Sequence, residues 1–320
     1  MTTLVSVSVW LRYIIVAIIQ GITEILPISS SGHMLFFQEI TGSQVNDLTF
    51  EIFLHLASLL AIILFFYKRI ILIIKDFCLY LVKIIFRKKI DKVILKEYKG
   101  EEPKDPIGET CNKITSNPDG NIIIERRRNF YIGLYIIIAT IPAAIAGLLL
   151  EKYNIIEEHF TSLLIVGIML FITGIALLIA SFNKGEKHIN ELKWWQALII
   201  GFFQCFGLFP GISRSGSCLV GASAVKVKKE EAAEFAFLLA IPVIIGANII
   251  KIPQFIDLFN KPLLPVYLTS FVIAFLITFL VIKVFFALIK KQRLDIFSYY
   301  CIIMSIIIIL FDVLNLGGLL

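Results

Sequence analysis

Between Gln20 and His33 the chain reads QGITEILPISSSGH. One carboxylate (Glu24), three successive hydroxyls (Ser29, Ser30, Ser31) and an imidazole (His33) surround the helix-breaking Pro27, and the flanks are apolar. Ionisable groups at membrane depth are costly and mark functional sites. A second stretch answers the first: PGISRSGS, Pro210 to Ser217, in which ISSSG (Ile28 to Gly32) recurs as ISRSG (Ile212 to Gly216) with Arg214 in place of Ser30. A guanidinium set among serines after Pro-Gly suits an anion, because its fixed fork of donors binds two oxygens at once. A turn into a helix over Ser213 to Gly216 aims backbone N–H groups at the same anion, and Ser29 to Gly32 can do the same from the other stretch. The expectation is a single anion site inside the membrane, built where the two stretches face each other. The plainer alternative is that Arg214 snorkels or pairs structurally with Glu24, which leaves its serine and glycine neighbours without a task.

Three uses are open to Glu24: holding a divalent ion (Mg²⁺ or Ca²⁺) together with substrate phosphates, acting as general acid or base, or neutralising Arg214. Gln20 is one turn earlier on the same helix face. It can orient a water or a metal-bound oxygen but cannot be a base; its other reading is an inter-helix hydrogen bond. Glu24 with Gln20 is therefore the expected metal position. His33 is either a nucleophile towards phosphorus or a base that activates Ser30 or Ser31. The chemistry is expected from Glu24, Ser30, His33 and Arg214, and substrate contacts from Gln20, Ser29, Ser31, Gly211, Ser213, Ser215 and Gly216. His55, one turn after Glu51, is read as lining the cavity or pairing within the bundle, His159 and His188 as solvated loop residues, and Glu234 as support for the site or a solvated helix end.

Holding such residues at depth requires particular elements. Residues 5–26 can be helix up to Pro27, which disfavours helix before it. Ser29 to Ser31 can cap a second helix beginning near Gly32, too short to span, since spanning takes about 20 residues. Two half-helices around a polar turn read as a re-entrant hairpin, tolerated only where protein or a water-filled cavity satisfies its backbone. After the polar link Thr41 to Thr49 comes a span at 50–67, closed by Lys68 and Arg69; residues 70–86 could extend the span or lie in the membrane interface, and the interface is preferred. Spans follow at 130–150 and 161–182, the second polar stretch lies within 196–225, and further spans at 232–250, 266–289 and 295–315 complete the chain.

The positive-inside rule sends the basic segments 87–128, 183–193, 226–229 and 290–293 to the cytoplasm. The turns 151–160 and 251–265 and both termini then lie outside. The predicted fold is an all-α polytopic membrane protein with an inverted-topology repeat, each half a re-entrant hairpin plus three transmembrane helices. Repeat one covers 5–182, with a polar cytoplasmic insert at 87–128, and repeat two covers 196–320; the whole chain, 1–320, forms one integral membrane domain. The ISSSG/ISRSG echo supports the repeat, and IPAAIAG (141–147) against IPVIIGA (241–247) is a looser echo. Inverted repeats place sites near the midplane, where broken helices meet.

Composition agrees. The chain is 58% hydrophobic and 17% charged with mean hydropathy +0.89, against roughly 25% charged in soluble domains. The net charge of +6 comes from juxtamembrane Lys and Arg rather than a compact basic, aromatic-laced patch, so nucleic-acid binding is excluded. Cys78, Cys111, Cys205, Cys218 and Cys301 are scattered without metal or disulfide spacing. No cleavage site follows the apolar N-terminal run, which is read as mature protein.

The two motifs resemble those of the undecaprenyl-diphosphatase family, the bacitracin-resistance membrane phosphatases. That family is recognised by (E/Q)-x-x-x-E running into a serine-rich turn and a histidine, and by P-G-x-S-R-S-x-x-T. Here the first reads Gln20 to Glu24, Pro27, Ser29, Ser30, Gly32, His33 and the second Pro210, Gly211, Ile212, Ser213, Arg214, Ser215. The likeness extends to F-Q-C (Phe203 to Cys205) and E-F-x-F-L-L-A (Glu234 to Ala240). Three departures stand out: Gln20 at the first acidic position, Cys218 for the final Thr, and a longer 87–128 segment.

The resemblance implies hydrolysis of a C55 isoprenyl diphosphate to the monophosphate plus phosphate, recycling the lipid carrier for cell-wall polymers such as peptidoglycan and giving bacitracin resistance. It also implies a multi-pass cell-membrane enzyme opening to the extracytoplasmic side. The expected partners are the polyprenyl diphosphate and membrane lipid, with a homodimer admitted. The competing reading is a transporter or lipid flippase, since inverted repeats with broken helices are also transporter architecture; transport alone would need no nucleophile.

Overall fold

Eleven α-helices and one short 3₁₀ turn make up the described residues, 7–42, 48–86, 118–250 and 263–314 of a computed structural model, with no strand among them. In chain order they are α1 (Val7–Thr23), α2 (Ser30–Thr41), α3 (Leu48–Phe86), α4 (Pro118–Lys152), α5 (Ile155–His159), α6 (Leu163–Phe182), α7 (Trp194–Phe206), α8 (Arg214–Ala224), α9 (Lys229–Ile250), α10 (Leu264–Lys290) and α11 (Asp295–Val313). Six helices, α3, α4, α6, α9, α10 and α11, are long and apolar enough to cross a membrane. The protein is thus a multi-pass, all-helical membrane protein. The expected polar link around 43–47, most of the 87–128 insert and the 251–262 part of the outer turn lie outside the described residues.

The order short, short, long, long, long occurs twice: α1, α2, α3, α4, α6, then α7, α8, α9, α10, α11. Packing partners recur between the halves. α1 lies along α10 and α7 along α4; α3 meets α9, and α6 pairs with α11 along their lengths. Without a hydrophobic drive between helices in lipid, close approach relies on small residues. Gly167 and Gly174 on α6 admit Ile309 and Ile302 of α11 in this way. Gly201 on α7 sits against the backbone of Ala139 on α4, where any Cβ would lie 2.3 Å from a carbonyl oxygen.

Three expectations need correction. Residues 70–86 do not form a separate interfacial piece: α3 runs unbroken from Leu48 to Phe86, since no Pro or Gly interrupts it. Two of its charged residues, Arg69 and Asp76, are bonded between helices. Arg69 Nε donates to Glu234 Oε1 of α9 (2.6 Å) and Nη1 to Asn129 Oδ1 of α4 (2.7 Å), and Asn129 Nδ2 donates to Asp76 Oδ2 (2.7 Å). Arg69 therefore does not close a span, and Glu234 is its partner rather than a solvated helix end. Residues 118–128, grouped with the polar insert, are already helical, with Pro118 at the start of α4 where its missing N–H is harmless. Finally, the IPAAIAG/IPVIIGA echo falls on α4 and α9, the second long helix of one half and the first of the other, so it does not relate equivalent elements.

The basic segments gather at one end of the bundle. Glu186 and Lys187 N–H donate to Lys226 O, and Arg128 Nη2 lies 2.9 Å from Glu231 Oε1. His188 joins Glu231 and also receives Lys228 Nζ (2.8 Å), so it is bonded although its side chain is 36% exposed. Gln292 donates to Glu230 (2.6 Å).

Candidate functional site

α1 ends at Thr23 as the chain approaches Pro27, whose ring disfavours helix at the residue before it. The Glu24 N–H still donates to Gln20 O, so Glu24 stays on the Gln20 face. α2 starts at Ser30, two residues earlier than expected, because Ser29 is the N-cap and accepts from Gly32 N at 3.3 Å. The second turn is built alike: Ser213 caps α8 and accepts from Gly216 N at 3.1 Å. The hydroxyls of Ser29 and Ser31 lie 3.3 Å apart, and those of Ser213 and Ser215 3.2 Å apart.

The two turns meet crosswise. A Cβ on Gly32 would lie 3.4 Å from Gly211 Cα, and one on Gly216 would lie 3.4 Å from Pro27 Cβ. Pro27 precedes Ile28 as Gly211 precedes Ile212, so equivalent positions touch reciprocally. The α6–α11 pair repeats the exchange: Thr173 Oγ1 donates to Gly211 O (3.3 Å), and Cys301 Sγ to Pro27 O (3.6 Å). Gly211 itself is fixed as glycine. Its φ is +88°, and a Cβ would lie 2.4 Å from Val166 O.

Glu24 sits at the crossing and is 8% exposed. Its Oε1 accepts from Arg214 Nη2, while Oε2 accepts from Ser30 Oγ (2.8 Å) and Gln20 Nε2 (3.0 Å). Ser30 and Arg214 occupy the same place in the two echoes, and both reach one carboxylate. Arg214 does pair with Glu24, as the plainer alternative had it; beside it the first-turn N–H groups of α8 have no intrahelical acceptors, and Ser213 Oγ takes that of Gly216. His33 is held apart: Nδ1 donates to Ser29 O and Nε2 meets Tyr300 Oη of α11, both at 2.8 Å, with the rings stacked. No hydrogen bond joins His33 to Ser30, whose hydroxyl is given to Glu24.

Three residues enter that sequence reasoning passed over or set aside. His55 Nδ1 accepts from Gln20 Nε2 (3.0 Å) and lies 3.4 Å from Glu24 Oε2. Its side chain is 34% exposed. Tyr300 covers His33. Gln204 is fully buried, accepts from Cys218 Sγ, and precedes Ile212 by the same interval as Gln20 precedes Ile28. That interval was readable as an extension of the echo. Cys218, in place of the family's Thr, faces Gln204.

The donors at Glu24 fit a hard divalent ion bound jointly with a phosphate. Magnesium is commonly held by one or two carboxylates plus substrate oxygens. Glu24 Oε2 lies beside Gln20, whose Oε1 is buried without a hydrogen-bond partner. Among the described residues no group of three His, Cys, Asp or Glu side chains forms a complete protein cage.

The sequence model of the family described as bacitracin resistance protein BacA matches residues 13–307. The chain is 33% identical to undecaprenyl-diphosphatase 1 of Shouchella clausii over 94% of this chain and 96% of the relative. It is 36% identical to the undecaprenyl-diphosphatase of Thermosipho africanus (93% and 98%) and 33% to that of Oceanobacillus iheyensis (94% and 96%).

Proposed function

Because the chain belongs to the BacA family, we infer that it is a membrane phosphatase that hydrolyses undecaprenyl diphosphate to the monophosphate and inorganic phosphate. This returns the lipid carrier to cell-wall polymer synthesis and underlies bacitracin resistance. The observation that carries the reading is the crossing itself: one buried carboxylate holds a serine hydroxyl from one hairpin and a guanidinium from the other. Transport is not favoured, since the relatives are hydrolases by name.

Arg214, Ser213, Ser215 and the backbone over Gly211 to Gly216 hold the diphosphate, with Ser29, Ser31 and Gln20 contacting it from the facing turn. Ser30 is the nucleophile, within hydrogen-bond reach of its base Glu24. Its oxygen bonds to the terminal phosphorus, its proton passes to Glu24, and the anhydride bond breaks to release the lipid monophosphate. Water then attacks the phosphorus, the bond to Ser30 Oγ breaks to release inorganic phosphate, and Ser30 takes its proton back from Glu24. His33, buried against Tyr300 through Nε2, orients the Ser29 turn through Nδ1. Glu24 and Gln20 would hold a Mg²⁺ or Ca²⁺, which would supply neutralisation of the diphosphate charge. Phosphate release from farnesyl diphosphate by purified protein across a magnesium and calcium titration tests the reading. No release at any metal concentration, in protein that still binds diphosphate, returns the case to transport.

The cell membrane is the proposed location, with the basic end cytoplasmic and the two halves inverted. His55 lies two turns below the start of α3, away from the basic end, which supports a site opening to the extracytoplasmic side. An impermeant thiol reagent should label a cysteine at Asn154 from outside and not one at Lys184; the reverse pattern would overturn the orientation. The homodimer is tested by the particle mass in detergent.

A further inference from the structure

The two caps differ in backbone conformation. Ser213 has φ −76° and ψ 121°, which any residue adopts. Ser29 has φ 68° and ψ 96°, a positive φ with ψ above the left-handed helical well. Among the described residues Ser29, Asn154, Lys226 and Gln292 are the non-glycine residues with positive φ, and of these Ser29 alone belongs to the site. Such a conformation persists only where its surroundings impose it. The cap bond does not impose it, since Ser213 makes the same bond to Gly216 N from an ordinary backbone.

What differs is the hold on the carbonyl. Ser29 O accepts from His33 Nδ1 at 2.8 Å, besides the longer main-chain bond from His33 N at 3.4 Å. With the ring proton on Nδ1, Nε2 accepts from Tyr300 Oη at 2.8 Å, and the rings stack with centroids 5.6 Å apart and 8° between their planes. The next residue of α11, Cys301, holds Pro27 O, so α11 grips the turn on both sides of Ile28. In the other half Thr173 of α6 holds Gly211 O as Cys301 holds Pro27 O, which places Ile172 in the position of Tyr300. Ser217 stands where His33 does, one residue past the echo. The ring pair is therefore present at the cap with positive φ and missing at the relaxed one.

We propose that Tyr300 is a positioning residue for Ser30, acting through His33 and the Ser29 carbonyl. Its phenol keeps the His33 proton on Nδ1 and the ring against Ser29 O. That bond fixes the plane of the Ser29–Ser30 peptide, and the plane sets the direction in which the Ser30 side chain leaves the backbone towards Glu24 Oε2, 2.8 Å from its hydroxyl. Without the phenol nothing fixes the tautomer, and a proton on Nε2 leaves a lone pair of Nδ1 facing Ser29 O. Ser29 then relaxes towards negative φ and carries the Ser30 hydroxyl away from its base. The proposal rests on the phosphatase reading for the task of Ser30 and goes beyond it in giving α11 a part in that task.

Tyr300→Phe keeps the stack and removes the hydroxyl. Its kcat on farnesyl diphosphate should fall about tenfold, the upper end of what one neutral hydrogen bond contributes, while KM moves far less. Glycine takes positive φ freely, so Ser29→Gly supplies the backbone that the ring pair otherwise imposes. Ser29→Gly also removes a hydroxyl that contacts the diphosphate, and its own activity is the reference for the double variant. Adding Tyr300→Phe to Ser29→Gly should cost less than about twofold in kcat, within the scatter of independent sites. A phenol that merely stabilised the fold, or that itself passed a proton, would cost the same in both backgrounds. Equal losses, or full kcat in Tyr300→Phe alone, would overturn the proposal. The melting temperature in detergent repeats the comparison without hydrolysis: the shift caused by Tyr300→Phe should shrink in the Ser29→Gly background, and an equal shift would count against the hold on Ser29. An unaltered protein that releases no phosphate from farnesyl diphosphate would sink the phosphatase reading, while the melting temperatures would still judge that hold.

Discussion

The Ser29–Gly32 and Ser213–Gly216 turns share caps, hydroxyl pairs and a crosswise contact, yet only the first brings a carboxylate. Counting back from the echoes, Leu208 stands where Glu24 does, and Arg214 stands where Ser30 does. The recurring order of helices brings two helix N-termini to one spot. In the proposed mechanism one turn carries base and nucleophile and the other carries positive charge. A symmetric pair of cradles could bind an anion; the asymmetry makes it a site with a direction of attack.

The largest effects should come from removing that asymmetry. Glu24→Gln keeps shape and loses proton transfer, and kcat should fall about 10²-fold or more, the scale of an acid–base group. Arg214→Lys should lose most activity as well, because an ammonium cannot supply the planar two-point contact. Near-normal turnover in either variant would demote that residue to a counter-charge.

An exchange sharpens the comparison. Arg214→Ser should lose about as much as Arg214→Lys or more. The double variant Ser30→Arg with Arg214→Ser restores a guanidinium opposite Glu24 but removes the nucleophile. Diphosphate binding should therefore recover while hydrolysis stays lost. Recovery of neither would mean that the two positions are not interchangeable around the crossing.

Gly211→Ala comes next. The positive φ and the contact with Val166 O should lower thermal stability in detergent by about 1–3 kcal/mol. Pro27→Ala at the equivalent position should cost less, since Pro27 has no such backbone conformation. The smallest effect separates the caps. Ser29→Ala and Ser213→Ala should each cost about 1 kcal/mol. Ser29→Gly should be milder than Ser213→Gly, because Ser29 holds φ 68° and Ser213 φ −76°. Equal penalties would show that the positive φ at Ser29 carries no strain.

Much of this was legible in the chain. Pro27 and Pro-Gly at 210–211 marked the breaks, the serines marked the caps, and long apolar runs marked the spans. What failed depended on tertiary partners. Lys68, Arg69 and Asp76 looked like the end of a span because charge normally seeks water. Asn129 and Glu234, distant in sequence, allow Arg69 to stay inside. His55, read as lining the cavity or pairing within the bundle, does pair, but nothing local named its partner Gln20, thirty-five residues earlier. Tyr300, at the far end of the chain, carried no signal of its contact with His33. The family's first acidic position is Gln20 here, and its amide does something a carboxylate would not: it donates to Glu24 and His55 at once.

The bond between Arg214 and Glu24 also sets a threshold for occupancy. With no ligand present, each charge already has its complement across the crossing, so the cradle is not an open positive well. A small monovalent ion such as chloride offers Arg214 one weakly directed contact and strands Glu24 in exchange. A diphosphate offers several oxygens to the guanidinium and to the helix N-termini, enough to draw Arg214 over. In doing so it would free Glu24 Oε1, on the carboxylate whose other oxygen holds the Ser30 hydroxyl. Under the proposed mechanism, ligand selection and release of the base from its counter-charge would then be one event.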